Sequence, residues 1–398
     1  MTRTFPTTEN ASGRRIGEEE LAAVERVIRT GHLSRVGGVE TPALEEEFAS
    51  LLGVKHAVAS TSGSSALHLA VAGIQPEPGD EFICPPITDF GTVLGVLANG
   101  GVPVFADLDP TTGCMTVETI EAVATERTRA IMLVHLFGGA ADVIGVRQWA
   151  QQRGIAVIED CAQAYLAQPK GKDGYVGSFG DIGCFSLQQS KHITAGDGGF
   201  TITNDDDIAR RMRLFSDKGW PRDTGERTHL RLGLNYRMTD LTAAVARAQL
   251  PKLPSIVGDR RTIAKRIIDA VDMPGIQLVA EPERHSFWLF PMIIDSAKLG
   301  FGHKEFTAIT GQAGLPIGGG YLQRLIHQTP AFAEHKTFGE SGWPITDVDY
   351  SDAAVNVPVA QGLLDSGLMV MQLNENYTTE DADYIAEHLQ QAYDQLTK

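Results

Sequence analysis

The stretch Ile155-Ala156-Val157-Ile158-Glu159-Asp160-Cys161-Ala162-Gln163 passes from an apolar run straight into two adjacent acids. A short apolar run without polar alternation reads as a strand covered on both faces, the habit of parallel sheets. Working outward, comparable runs lie at 56–60, 81–84, 103–106, 130–135, 183–187 and 200–203. Helical patterns of about 10–15 residues separate the earlier runs, the spacing of βαβ units. Seven strands joined in this way predict an α/β unit with a mostly parallel sheet covered by helices. Asp160 then stands at the carboxyl end of its strand, outside which open α/β sheets bind ligands.

The flanks carry further punctuation. Leu21, Val24, Val27 and Ile28 recur at helical spacing. A second helix is expected with Thr41 as N-cap, Pro42 in its first turn, Leu44, Phe48, Leu51 and Leu52 on its apolar face, and Gly53 as its stop. An Ala-rich helix over 239–250 is closed by Pro251. Beyond it the pattern changes to a long amphipathic helix, a strand-like run at 287–294, a glycine-rich turn at Gly318, Gly319 and Gly320, and a final helix after Thr378. We expect a large domain over 1–255 and a smaller α+β domain over 256–398.

The 398 residues, 42% hydrophobic and 21% charged, suffice for a sizeable core. A net charge of -16 argues against a nucleic-acid partner, because phosphate neutralisation needs clustered Lys and Arg. Cys84, Cys114, Cys161 and Cys184 lie far apart without metal-ligand spacing, so buried free thiols and no metal are expected. The polar stretch from Met1 to Arg15 lacks a signal peptide's apolar segment, and no apolar run is long enough for a membrane span. A cytoplasmic location is expected.

Three segments carry chemistry. In Thr61-Ser62-Gly63-Ser64-Ser65-Ala66-Leu67 a strand gives way to a helix, whose unpaired N–H groups and serine hydroxyls suit a phosphate. A plain capped turn explains that segment equally. Asp160 either pairs with a protonated ring nitrogen or caps the following helix. In Phe185-Ser186-Leu187-Gln188-Gln189-Ser190-Lys191-His192-Ile193-Thr194-Ala195-Gly196-Asp197-Gly198-Gly199 a lone lysine precedes a glycine-rich turn. A lysine is either a solvated surface residue or, with its pKa lowered, a covalent nucleophile. Phosphate cradle, carboxylate and amine together suit pyridoxal phosphate.

With these motifs, and with Gly31-His32-Leu33-Ser34, Val134-His135-Leu136-Phe137-Gly138, Gly233-Leu234-Asn235-Tyr236-Arg237-Met238-Thr239 and Asn374-Glu375-Asn376-Tyr377-Thr378, the chain resembles the DegT/DnrJ/EryC1/StrS family. These are fold-type I, pyridoxal-phosphate-dependent sugar and cyclitol aminotransferases. The resemblance implies that Lys191 joins the cofactor aldehyde as a Schiff base and later shuttles a proton, with pyridoxamine phosphate as the intermediate form. It implies that Asp160 pairs with the ring nitrogen and Gln163 contacts the phenolic oxygen. Ser62, Gly63, Ser64 and Ser186 would hold the phosphate. Asn235 would reach the phosphate in a neighbouring subunit, which implies a homodimer with shared sites. Tyr236, Arg237 and Tyr321 would meet substrate, although Arg237 equally suits a structural salt bridge and the glycines before Tyr321 a plain turn. The implied reaction moves an amino group from glutamate or glutamine to a keto-sugar or keto-cyclitol. The segment Ser186 to Lys191, with a Gln where many nucleotide-sugar members have His, leans by that one residue towards the cyclitol members.

One departure stands out. Relatives place an aromatic residue after a Pro-x-x-Thr segment, stacked on the ring; here Asp89 follows Thr88, and Phe90 comes one step later. A one-residue shift on a helix turns a side chain by ~100°. Either Phe90 swings over the ring, or Asp89 or another residue covers that face. Two other readings compete: a dehydratase or deoxygenase on the same scaffold, whose relatives replace the lysine by histidine, and a non-catalytic regulator. The presence of Lys191 and Asp160 disfavours both. His135 is expected as a buried, hydrogen-bonded residue, and Trp149, Trp288 and Trp343 as packing residues.

Overall fold

The computed structural model describes residues 3–398; Met1 and Thr2, the start of the polar N-terminal stretch, lie outside it. Seven strands form the larger sheet: β1 (His56–Ser60), β2 (Glu81–Cys84), β3 (Val102–Phe105), β4 (Thr128–Val134), β5 (Ala156–Asp160), β6 (Ile182–Ser186) and β7 (Gly199–Thr203), in the order β1-β7-β6-β5-β4-β2-β3. All run parallel except β7, which is antiparallel to both β1 and β6. The apolar runs are continuous because both faces are covered. On β6, Ile182 and Cys184 join Ala66, Leu69 and Ala70 of the helix Gly63–Ile74 in one core cluster. Phe185, one residue on, faces the other way and packs with Phe48 and Leu52 of the helix Glu40–Leu52. Fully burying a side chain of that size stabilises the fold by about 1.5–3 kcal/mol.

The start of the helix Glu40–Leu52 corrects the expected cap. Thr41 lies inside the helix, and its hydroxyl donates to Asp240 Oδ1 at 2.7 Å. The Asp240 carboxylate also accepts the backbone N–H groups of Val39, Glu40 and Thr41 at 2.8, 3.2 and 3.1 Å. A helix N-terminus needs acceptors and favours negative charge, so an acid 200 positions away in sequence outcompetes the local hydroxyl.

A second sheet holds β8 (Ile276–Gln277), β9 (Leu289–Ile294), β10 (Ile317–Gly319) and β11 (Leu368–Gln372), antiparallel throughout in the order β10-β11-β9-β8. Gly318 and Gly319, expected in a turn, pair in β10 with Val370 and Met369. The backbone there passes so close to the His303 ring that Gly319 has no room for a Cβ. Helices Leu253–Ala270 and Thr379–Leu396 cover this sheet through Ile263, Ile267, Ile385 and Leu389, and Phe5 from the N-terminal segment joins the same cluster. Downstream of β10 the chain returns to the larger sheet, where Ile326, Phe332, Ile345 and Tyr350 enter its core. Trp343 rests its ring edge against Gly100 yet stays 42% exposed, so it is only partly the packing residue expected. Among the described residues no helix is long and apolar enough to cross a membrane.

Candidate active site

Asp160 is the last residue of β5 and Ser186 the last of β6, so both side chains sit at the carboxyl edge of the sheet. Because β7 runs antiparallel between β6 and β1, β1 ends at that same edge and delivers the helix Gly63–Ile74 to it. Ser62, Gly63, Ser64, Asp89, Asp160, Gln163, Ser186, Lys191 and Tyr321 all line one cleft of about 410 Å³ there.

At its helix end, the Ser62 hydroxyl accepts the Ser65 N–H at 3.0 Å, and Ser65 Oγ accepts the Ser62 N–H at 2.8 Å. This reciprocal cap leaves the N–H groups of Gly63 and Ser64 without an acceptor among the described residues. Unpaired amides at a helix start hold anions well. Gly63 approaches Ser186 so closely that a Cβ would stand 2.7 Å from the serine Cβ. The glycine therefore brings free amides and the Ser186 hydroxyl to one point.

In the cleft floor, Asp160 is buried, accepting from Thr92 Oγ1 at 2.8 Å and from the Ala162 N–H at 3.1 Å. Burial raises its pKa; the two hydrogen bonds and the charge of Lys191 oppose that rise, while Asp89 adds to it. Thr92 in turn shares a 2.7 Å hydrogen bond with Thr88, which precedes the helix Gly91–Ala98. Across the floor the Lys191 amine, enclosed by the cleft, has its pKa lowered by burial from 10.5 to about 8, against the raising effect of Asp160 and Asp89. Its Nζ lies 4.0 Å from the centroid of the Trp288 ring. Gln163 is fixed at both ends, accepting the Phe137 N–H at 2.8 Å and donating to the Tyr321 hydroxyl at 3.0 Å.

Several expected residues stand elsewhere. Asp89, not Phe90, faces the cleft: its Oδ1 accepts the Gly91 N–H at 2.8 Å, and Phe90, in helical geometry, turns towards Phe332 at 6.1 Å between ring centroids. Asn235 is exposed, bridged through its backbone to Asp217. The Tyr236 hydroxyl bonds His68 Nδ1 at 3.0 Å, and Arg237 is ion-paired with Asp217. Tyr236 and Arg237 are thus outside the cleft of a single chain. Thr92 and Trp288 were missed from sequence. Thr92 lies in the first turn of the helix Gly91–Ala98 and carries no sequence signal of its own; Trp288 opens an apolar run, and only the fold turns it towards Lys191. His135 is buried as expected, its Nε2 2.8 Å from Glu159 Oε2. That carboxylate also accepts the N–H groups of Gly177, Phe179 and Gly180 at 2.7, 2.9 and 2.5 Å, tying down the loop before β6.

Free amides beside a hydroxyl, a buried acid and an enclosed amine fit the phosphate, ring nitrogen and aldehyde of pyridoxal phosphate in turn. Residues 14–395 match the DegT/DnrJ/EryC1/StrS aminotransferase family. A UDP-N-acetyl-3-dehydro-α-D-glucosamine 3-aminotransferase of Acidithiobacillus ferrooxidans is 39% identical over 305 residues, 75% of this chain and 81% of that protein. Among solved structures, a 3-amino-5-hydroxybenzoic acid synthase superimposes with a TM-score of 0.85 at 27% identity, covering 99% of this chain and 100% of that one. An aminotransferase from Psychrobacter cryohalolentis gives 0.84 at 26% identity, covering 100% of both chains. The chain belongs to the DegT/DnrJ/EryC1/StrS aminotransferase family and is a pyridoxal-phosphate-dependent aminotransferase.

Proposed function

We propose that this enzyme transfers an amino group from glutamate or glutamine to the ketone of a nucleotide-linked sugar, using Lys191 as its proton carrier. The observation that carries the reading is the shared cleft of the Lys191 amine and the Asp160 carboxylate, closed at one end by the free amides of Gly63 and Ser64. The sugar acceptor is supported by the Acidithiobacillus relative, whose substrate is a UDP-linked amino sugar by name.

Pyridoxal phosphate, when bound, supplies an aldehyde that takes up an amine and a ring that draws electrons from the adjoining carbon. The protein's own part follows from its geometry. The Gly63 and Ser64 amides and the Ser186 hydroxyl would hold the phosphate. Asp160, whose pKa is raised by burial against the opposing hydrogen bonds from Thr92 and Ala162, would hold a proton on the ring nitrogen; a cation placed against it favours the carboxylate. Gln163, held by Phe137 and Tyr321, would contact the phenolic oxygen of the ring. Burial lowers the Lys191 pKa to about 8, so its amine gives up a proton more readily near neutral pH, as base work followed by acid work at one Nζ requires.

Lys191 is the one cation among the described residues lining the cleft, against Asp89, Asp160 and Asp197. A donor carboxylate therefore needs a cation from elsewhere, which fits a homodimer in which a second copy completes each site. The exposed leucines Leu230, Leu232 and Leu234 beside Asn235 fit the same arrangement. The four unpaired, buried cysteines suit work in the reducing cytoplasm.

The test offers the cofactor-loaded enzyme glutamate or glutamine with keto-sugar nucleotides and, separately, keto-cyclitols, and follows aminated product and keto acid by mass spectrometry. Amination of a keto-sugar nucleotide, abolished in Lys191→Ala, is the expected result. Exclusive use of a keto-cyclitol would move the acceptor class, and full turnover by Lys191→Ala would remove the mechanism.

A further inference from the structure

The free amine of Lys191 rests on an aromatic face and not on an acid. Its Nζ stands 4.0 Å from the Trp288 ring centroid, while the charges of Asp160 and Asp89 act on it without forming an ion pair among the described residues. The indole is fixed independently of the lysine: its Nε1–H donates to the Ser190 carbonyl at 2.8 Å, and Tyr321 meets it edge-on at 6.3 Å. Behind it, the buried Arg260 donates to the carbonyls of Phe287 and Trp288 at 3.0 and 3.2 Å and pairs with Glu375 at 2.7 Å. The lysine backbone is held as well, since Arg14 donates to the Lys191 carbonyl at 2.6 Å. With ring and main chain both clamped, the rotations left are those of the lysine side chain.

We infer that Trp288 is a positioning residue whose indole face seats the Lys191 amine whenever that amine is not joined to the cofactor. The inference rests on the proposed function for its consequence in turnover. An ammonium is attracted to the negative face of an indole, whereas a neutral amine is held far less. A seat of this kind brings no negative charge and leaves Asp160 free of an ion pair with the lysine. A carboxylate in the same place would hold the amine charged and idle. The other titratable groups facing the amine are Asp160 at the end of β5, Asp89 before the helix Gly91–Ala98, Asp197 in the glycine-rich turn, Tyr321 and the adjacent His192. Replacing Trp288 changes none of them.

The test is competitive labelling of the full chain, freed of cofactor, with acetic anhydride from pH 6 to 10, reading the Lys191 peptide by mass spectrometry. Loss of the ring face in Trp288→Leu is expected to move the midpoint of Lys191 reactivity down by about half to one pH unit. Trp288→Phe, which keeps a smaller face and spares the core, is expected to move it in the same direction but less far. An unchanged midpoint in Trp288→Leu overturns the inference, as does a Trp288→Phe shift as large as that of Trp288→Leu. If Trp288→Leu does not fold, an unchanged midpoint in Trp288→Phe overturns it alone. Neither donor nor acceptor enters this measurement, so failure of amine transfer in the substrate screen leaves its outcome standing.

Discussion

Thr92 donates its hydroxyl to Asp160 Oδ2 at 2.8 Å, and so governs how readily the buried acid holds its charge. Removing that donor in Thr92→Val leaves an oxygen of a buried carboxylate unpaired, and hydrogen bonds to charged groups contribute about 1.5–3 kcal/mol. We expect transamination to fall by roughly 10- to 100-fold, with Thr92→Ser close to the parent enzyme. Steady-state rates of the two variants decide it; equal rates in Thr92→Val and the parent would show that Asp160 needs no such support.

Gly63→Ala tests the phosphate end. The new methyl group would stand 2.7 Å from Ser186 Cβ, closer than packed atoms tolerate, so the helix start must back away. Cofactor affinity should weaken by at least ~10-fold, or ~1.4 kcal/mol. Equilibrium dialysis against pyridoxal phosphate measures this. Undiminished affinity would mean that the phosphate is held elsewhere.

Asp89→Asn probes the second acid that acts on Lys191 from the cleft wall. Asp89 raises the pKa of Lys191, so neutralising it should lower that pKa below about 8 and move the acid limb of the rate profile to lower pH. Asp89 is exposed, so the shift should shrink as salt rises. A limb that moves towards higher pH would contradict the electrostatic reading.

Acid stability should depend on two buried histidines. Burial lowers His68 to about 4 and His285 to about 3, from 6.5. Above ~6.5 both folded and unfolded chains hold them neutral, and their contribution to stability is complete. As pH falls below that value only the unfolded chain takes up the protons, so stability declines by up to ~1.4 kcal/mol per pH unit for each histidine. The decline continues until pH reaches the folded values. Urea unfolding at pH 7, 6 and 5 should show a shallower fall in His68→Gln; identical slopes would place the acid sensitivity elsewhere.

The larger sheet was legible because buried parallel strands are continuous apolar runs. β5 and β6 were found to within two residues, and with them came the positions of Asp160, Ser186 and Lys191. What escaped was decided by distant partners. Thr41 is the right residue type for a cap, but Asp240 arrives from far along the chain and takes the place. Gly318 and Gly319 carry turn chemistry and become a strand because β11 offers them a ladder. Trp288 is one more apolar residue until β9 is docked against the lysine loop. Phe90 had the right chemistry and the wrong rotation: the helix that begins at Gly91 points it into the core and leaves Asp89 in the cleft.

Arg14 reaches the Lys191 carbonyl across 177 positions of chain, and Arg260 meets Glu375 across 115. Contacts of such span close large loops, which costs chain entropy. The lysine loop is thus held directly by Arg14 and, through Trp288 and Arg260, by Glu375. A substitution at Arg14 or Glu375, neither of which lines the cleft, would therefore loosen the centre from outside it.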